Sequence, residues 1–275
     1  MSASKPFLQR TFSRLWRRPW FRRQFYNALG LLFSRQLSWQ MMNCGFRDAG
    51  PPIPLPPERE SERTSYELYT RLIAETPLAG RDVLELGAGR GGGARFLHGT
   101  YHPQRLVALD YAEESVRWCR RNFSSPGLKF VCGDAGAPPF PKASFDVIVA
   151  VEVTHCLPDK EQFLASTARL LRPGGRLLIA DFFYRRPDAM HALGKFETAL
   201  AGSDFTIVAN DDWTTKATAA IEADSARRTQ VITDHVPGFL QSTALGFAST
   251  TASSTYIAMR EGRTVYHRYV LERRG

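Results

Sequence analysis

Between residues 83 and 93 the chain reads Val83-Leu84-Glu85-Leu86-Gly87-Ala88-Gly89-Arg90-Gly91-Gly92-Gly93, a short apolar run with one carboxylate that passes into a glycine-dense turn. Ala94-Arg95-Phe96-Leu97 then opens a helical pattern. Glycine admits left-handed backbone and lets the chain approach a ligand where any Cβ would collide, while the first turn of a helix offers unpaired N–H groups. The stretch therefore predicts a strand, a tight loop and a helix N-terminus at which a nucleotide-like ligand sits. Gly87, Gly89 and Gly92 satisfy the G-x-G-x-x-G spacing of dinucleotide-binding folds, and Asp110 follows roughly where such folds place an acid. On this stretch alone a nicotinamide enzyme and a turn without a ligand both remain open.

The surrounding pattern repeats strand then helix. Apolar runs predict strands at 82–86, 105–110, 128–132, 145–151 and 176–183, with helices near 91–99, 113–123 and 159–171 and an earlier one over 58–75. Alternation of this kind requires a doubly wound parallel sheet covered on both faces. A further strand begins at Phe205, 212–260 reads as mostly helical or irregular, and strand composition returns over 264–271. That long late connection is expected to form a helical cap over the site, about 211–262, within a domain spanning 58–275.

Charge is unevenly placed. Lys5, Arg10, Arg14, Arg17, Arg18, Arg22, Arg23 and Arg35 give residues 1–40 a charge of +8 with no acid, out of a total of +9, so the body is close to neutral. Leu8, Phe12, Leu15 and Trp16 share one helical face, as do Phe21, Phe25, Leu29 and Leu32 beyond the break at Pro19. Residues 1–57 are thus expected to be a basic amphipathic arm ending in the connector Pro51-Pro52-Ile53-Pro54-Leu55-Pro56-Pro57. Three uses fit residues 7–33: contact with an anionic membrane surface, packing of the apolar face on the domain, or an organelle address. Cys44, Cys119, Cys132 and Cys156 show no C-x-x-C spacing, so neither a metal site nor a disulfide framework is expected, and a reducing, cytoplasmic setting is the simplest. No apolar run approaches the roughly 20 residues of a membrane-spanning helix.

Ligands of open parallel sheets bind outside the carboxyl ends of the strands. There the sequence places the glycine loop, Asp110 at the end of the second strand, Gly133-Asp134-Ala135 after the third, and Glu152, Thr154 and His155 after the fourth. Leu170-Leu171-Arg172-Pro173-Gly174-Gly175 turns the following helix into the next strand. Together these resemble the class I S-adenosylmethionine-dependent methyltransferases: the E-x-G-x-G loop at Glu85, Gly87 and Gly89, the acid at Asp110, the G-D-A step, the F-D-x-x-x-x-x-E strand ending at Glu152, and the L-R-P-G-G turn. The resemblance is strong over about 60–185 and decides against a nicotinamide enzyme, which has no need for Glu85 two residues before the first glycine. It implies a Rossmann-like, mostly parallel seven-stranded sheet with an antiparallel last strand, and S-adenosylmethionine as cofactor.

Asn43-Cys44-Gly45-Phe46, Glu62 to Tyr69, the Gly-Arg-Gly-Gly-Gly loop, Val151 to Cys156 and Ala180-Asp181 narrow the likeness to small-molecule enzymes of bacterial lipid and polyketide biosynthesis. These include the phthiotriolone-type O-methyltransferases and, through the Gly-x-Gly-Gly loop and an acidic fourth-strand end, the sterol C-methyltransferases. The resemblance implies a small lipophilic acceptor, with a hydroxyl ahead of carbon as the methylated group. It implies cofactor contacts from Tyr66, Glu85, Gly87, Ala88, Gly89, Asp110, Tyr111, Asp134, Ala135 and Glu152.

His155 is the candidate base, since an imidazole of ordinary pKa, about 6.5, can take a hydroxyl proton at neutral pH. Glu152 would border the methionine end of the cofactor or, in C-methylation, stabilise a developing cation. Asp181 would orient a substrate or cap a turn, and Arg90 would pair with Glu85 or the cofactor carboxylate. Trp118 and Cys119 are expected in the core. No nucleic-acid partner is expected: the (Asp/Asn)-Pro-Pro-aromatic turn of base-amino methylating enzymes is replaced after the fourth strand by Val-Glu-Val-Thr-His-Cys, and Pro138-Pro139-Phe140 lies before that strand.

Overall fold

The computed structural model describes residues 40–275. The expected helices at 7–33, and with them the membrane, packing and targeting readings, lie outside the described residues. A 3₁₀ turn, Pro57–Glu62, opens the body and leads into α1, Arg63–Ile73. The single helix expected over 58–75 is thus split, with Pro57 at the start of the tighter turn where its missing N–H costs nothing.

From there the chain alternates. The order is β1 Asp82–Leu86, α2 Gly92–Tyr101, β2 Arg105–Asp110, α3 Glu113–Asn122, β3 Leu128–Cys132 and β4 Phe145–Val151. Next come α4 Lys160–Leu170, β5 Leu171–Tyr184, α5 Leu193–Ala201 and β6 Phe205–Asp212. Three helices follow, α6 Thr214–His235, α7 Gly238–Phe247 and α8 Ser254–Arg260, before β7, Thr264–Arg273. Local chemistry sets several boundaries. Asp159 caps α4 by accepting from the Gln162 N–H at 2.8 Å, and Ser253 caps α8 through the Tyr256 N–H at 3.2 Å. Glu113 and Glu114 begin α3 and Arg120 and Arg121 end it, matching the helix dipole.

The strands form one seven-stranded sheet in the order β3-β2-β1-β4-β5-β7-β6. β3 through β5 pair in parallel, while β7 inserts antiparallel between β5 and β6. Successive strand residues point to opposite faces and both faces are covered. Val83, Val147 and Leu178 join one core with Leu68, Leu72 and Leu97; their neighbours Leu84, Ile148 and Ile179 join the other with Phe163 and Leu164. β5 starts earlier than its composition suggests. Leu171 already pairs with Phe145, and Arg172-Pro173-Gly174-Gly175 then bulges out before Arg176 resumes opposite Val147, with Gly174 left-handed at φ +72°. No helix among the described residues is long and apolar enough to cross a membrane.

Residues 40–46 lie over the carboxyl ends of the strands. The Met41 N–H donates to Glu62 Oε1 at 3.0 Å, and Phe46 packs edge-on against Trp213 with ring centroids 4.7 Å apart. Arg228 of α6, fully buried beside Asp224, donates to the Asn43 carbonyl at 2.9 Å and the Ala248 carbonyl at 3.0 Å.

Candidate active site at the strand ends

The glycine loop leaves β1 by folding back on β2. The Gly87 and Ala88 N–H groups both donate to the Leu109 carbonyl, at 2.8 and 3.0 Å. Gly87 is left-handed at φ +74°, and a Cβ there would lie 2.7 Å from a Val153 methyl, so both backbone and space require glycine. The Gly89 N–H donates to Asp110 Oδ2 at 2.7 Å and the Ala112 N–H to Oδ1 at 2.8 Å. Burial raises the Asp110 pKa, with these backbone donors opposing it. Asp110 therefore holds the loop in shape, with acceptor capacity left on its carboxylate for a further donor.

Glu85 lies beneath the loop. Its Oε1 accepts from the Tyr69 hydroxyl at 2.7 Å, while Oε2 is buried with no partner. Burial pushes this carboxyl up to about 7, the Tyr69 bond opposing. Gly93, opening α2, makes room for the pair: a Cβ there would sit 2.1 Å from the tyrosine oxygen. A buried carboxylate oxygen lacking a donor, with a second acid at Asp110 under the same loop, fits a ligand bearing an ammonium and vicinal hydroxyls. After β3, Asp134 Oδ1 accepts the Gly136 N–H at 2.8 Å, Ala135 is buried, and Tyr111 is exposed at the end of β2.

Glu152 follows β4 with φ +50°, a conformation that costs a non-glycine residue energy and persists when its surroundings impose it. Its Oε1 accepts from the Cys44 N–H at 2.6 Å and from the Tyr266 hydroxyl at 2.9 Å. Burial raises its pKa, with the Cys44 N–H opposing and nearby Asp181 adding to the rise. Tyr266, pushed well above the ordinary phenol range by burial and by Glu152, stays a donor.

The next turn carries His155, and its ring nitrogen Nδ1 lies 3.0 Å from Asp181 Oδ1 on β5. Asp181 is completely buried and fully engaged: the Thr154 hydroxyl (2.7 Å) and the His155 N–H (3.1 Å) donate to Oδ2, and the Phe182 N–H (2.8 Å) donates to Oδ1. The His155 ring stacks on Phe182 with centroids 4.3 Å apart. Burial disfavours its charged form, but Cys156 and Asp181 outweigh that and lift its pKa well above the ordinary value. Asp181 is held far below the usual carboxylate range; burial opposes this, and His155 provides the largest lowering. An Asp181-bound imidazole is fixed as the Nδ1–H tautomer, which assigns Nε2 to proton transfer.

The structure departs from expectation at His155, whose pKa is not that of an ordinary imidazole but is lifted well above it by Cys156 and Asp181. Tyr66 is buried edge-on against Phe96 with centroids 4.9 Å apart, and the hydroxyl that α1 delivers to Glu85 is that of Tyr69. Arg90 is buried with its guanidinium 4.8 Å from the Trp118 ring centroid, a cation–π contact. Sequence reasoning passed over Tyr69, Tyr266, His191 and the Cys44 N–H. Only Tyr69 left a signal, one helical turn after Tyr66 on the same face.

Known proteins share these features. The family described as "Methyltransferase domain" matches residues 84–179, from the glycine loop to β5. The chain is 32% identical over 221 residues to the phthiotriol/phenolphthiotriol dimycocerosates methyltransferase of Mycobacterium leprae, covering 80% of each protein. It is 32% identical over 229 residues to the fatty-acid O-methyltransferase of Mycolicibacterium smegmatis, covering 83% of this chain and 81% of that one. In fold it is similar to geranyl diphosphate C-methyltransferase from Streptomyces coelicolor, solved with Mg²⁺, geranyl diphosphate and S-adenosyl-L-homocysteine (TM-score 0.64, 14% identity, 90% of this chain and 97% of that one). The family implies S-adenosylmethionine as cofactor, and the orphaned Glu85 oxygen and the Asp110 loop fit it. The chain therefore belongs to the class I small-molecule methyltransferases, in the family of the phthiotriol/phenolphthiotriol dimycocerosates methyltransferases.

Proposed function

We propose that the protein methylates a hydroxyl of a small lipophilic acceptor, with His155 as the general base. One observation carries the reading: a partly exposed imidazole after β4 is bonded through Nδ1 to a wholly buried carboxylate. Bound S-adenosylmethionine would supply an electrophilic methyl on a sulfonium leaving group. The chain then has to align the acceptor oxygen and receive its proton at His155 Nε2 as the O–CH₃ bond forms and the S–CH₃ bond breaks. The acceptor class is supported by the fatty-acid and phthiotriol substrates named for the relatives.

Glu85, Gly87, Ala88 and Gly89 are assigned to the aminoacyl and ribose side of the cofactor, with Asp110 and Tyr111 at the ribose and Asp134 and Ala135 at the adenine. Glu152 is assigned to the methionine end, and Tyr66 acts there only indirectly, by packing α1. Labelled methyl transfer from S-adenosylmethionine into hydroxylated lipid and polyketide extracts tests the activity. His155→Ala should cut turnover by about 10²–10⁴-fold with little change in cofactor affinity; unaltered turnover removes His155 as base.

C-methylation of a sterol, quinone or other prenyl-type lipid is the second reading. It is favoured by Glu152, a buried carboxylate able to face a developing cation, and label recovered on carbon would select it. Residues 7–33, with their arginines and apolar faces, are the proposed contact with the anionic surface from which such an acceptor is drawn. Equal pelleting of the protein with anionic and neutral vesicles would count against that contact.

A further inference from the structure

β5 ends in a loop that returns on itself. The Tyr184 N–H donates to the His191 carbonyl at 3.0 Å and Tyr184 bridges to Ala192, so His191 is carried back under the site. Its ring is 1% exposed and stacks on Phe183 with centroids 4.4 Å apart. Nε2 lies 3.5 Å from Thr154 Oγ1, which lies 2.7 Å from Asp181 Oδ2; on the far side Asp181 Oδ1 meets His155 Nδ1 at 3.0 Å.

The hydrogens along this line can be assigned. A threonine hydroxyl has one hydrogen, and facing a carboxylate it donates it there. Towards His191 it can then only accept, so Nε2 carries the ring hydrogen. The atom left without a partner is Nδ1, which in that tautomer is a lone pair and not an orphaned N–H. The charged and titratable groups facing His191 are Asp181, Lys160 and His155, the Phe182 backbone is a further hydrogen-bond partner, and burial pushes the His191 pKa down to about 3, so the ring stays neutral. Lys160 is itself occupied, donating to the Thr154 and Leu157 carbonyls and pinning the turn that bears Thr154 and His155.

We propose that His191 is a positioning residue for methyl transfer: through Thr154 and Asp181 it fixes the orientation and tautomer of His155. The inference rests on the reading of His155 as base. Hydrogen bonds in such a chain polarise one another, so loss of the outermost donor loosens each link inward.

Three substitutions separate the donor from the ring. Glutamine places an amide nitrogen near the Nε2 position, asparagine near the Nδ1 position, and phenylalanine keeps the stack on Phe183 without a donor. His191→Phe and His191→Asn should lower kcat about fivefold to tenfold, the worth of one hydrogen bond, with KM and cofactor affinity within about twofold. His191→Gln should retain most of kcat. The downfield proton resonance of the His155 Nδ1–H should persist in His191→Gln and broaden or vanish in the other two. Activity in His191→Phe equal to that of His191→Gln, or an unchanged resonance in all three, would overturn the proposal. If His191→Phe fails to fold, the glutamine and asparagine variants decide by the same criteria. Full turnover in His155→Ala would instead remove the base assignment, and the resonance would then report alone on whether His191 orders His155.

Discussion

At the scale of single residues, two carboxylates in similar burial behave oppositely. Asp181 is saturated with donors beside a basic imidazole and stays ionised, whereas Glu85 keeps one oxygen without a donor and burial pushes it up to about 7. Replacing Asp181 by asparagine leaves Cys156 in place but removes the carboxylate that helps it lift His155, so the imidazole pKa should fall. The acid limb of the kcat profile should move to lower pH, and the plateau should drop by about 10²–10⁴-fold through loss of the held tautomer. Profiles of the two proteins over pH 5–9 check both effects. For Glu85 the sign is reversed. A carboxyl with a raised folded pKa keeps a proton that the unfolded chain has released, so stability without cofactor should decline as pH rises from about 4.3 to about 7. Glu85→Gln should abolish that decline in thermal melts while weakening cofactor binding about tenfold by calorimetry, the loss of one charge-assisted bond.

At the scale of elements, α1 and α2 approach so closely that a hydrogen atom is all Gly93 can carry. Gly93→Ala would push a methyl into the Tyr69–Glu85 pair and should cost about 1–3 kcal/mol, seen as a several-degree fall in Tm together with weaker cofactor binding. Such crowding also shows what was legible in the sequence. β1, β2 and β4 could be bounded from apolar runs because each is buried on both faces, β3 from its shorter run although Lys129 and Cys132 are exposed, and Glu85, Asp110, Glu152 and His155 could be placed because they lie within or just after such runs. What the sequence hid depends on contacts between distant elements. Tyr66 and Tyr69 share a helical face, and only packing against Phe96 and Glu85 separates their roles. Asp181 was visible at a strand end, but its pairing with His155 follows from β4 and β5 lying side by side. His191 sits in a loop with no periodicity, and Arg228, which reads as an ordinary charged position on a helix, proves to clamp Asn43.

At the scale of the molecule, Glu152 is held by groups remote in sequence on either side: the Cys44 N–H, 108 positions before it, and the Tyr266 hydroxyl, 114 after. Tyr266→Phe leaves the ring in place but removes one of two donors to a buried carboxylate. It should destabilise the fold by about 1–3 kcal/mol in denaturant titrations and reduce turnover more than cofactor affinity. The same tyrosine lies on the strand that inserts between β5 and β6, and β6 has no other neighbour in the sheet. During synthesis, which runs from the N-terminus, β5 and β6 both emerge with unpaired edges and must wait through α6, α7 and α8 for their partner. Until the ten residues of β7 are made, two sticky sheet edges are exposed and Glu152 lacks its hydroxyl. The protein therefore acquires its catalytic competence and its resistance to aggregation in the same late step, and ribosomes stalled short of residue 264 would release a chain with neither.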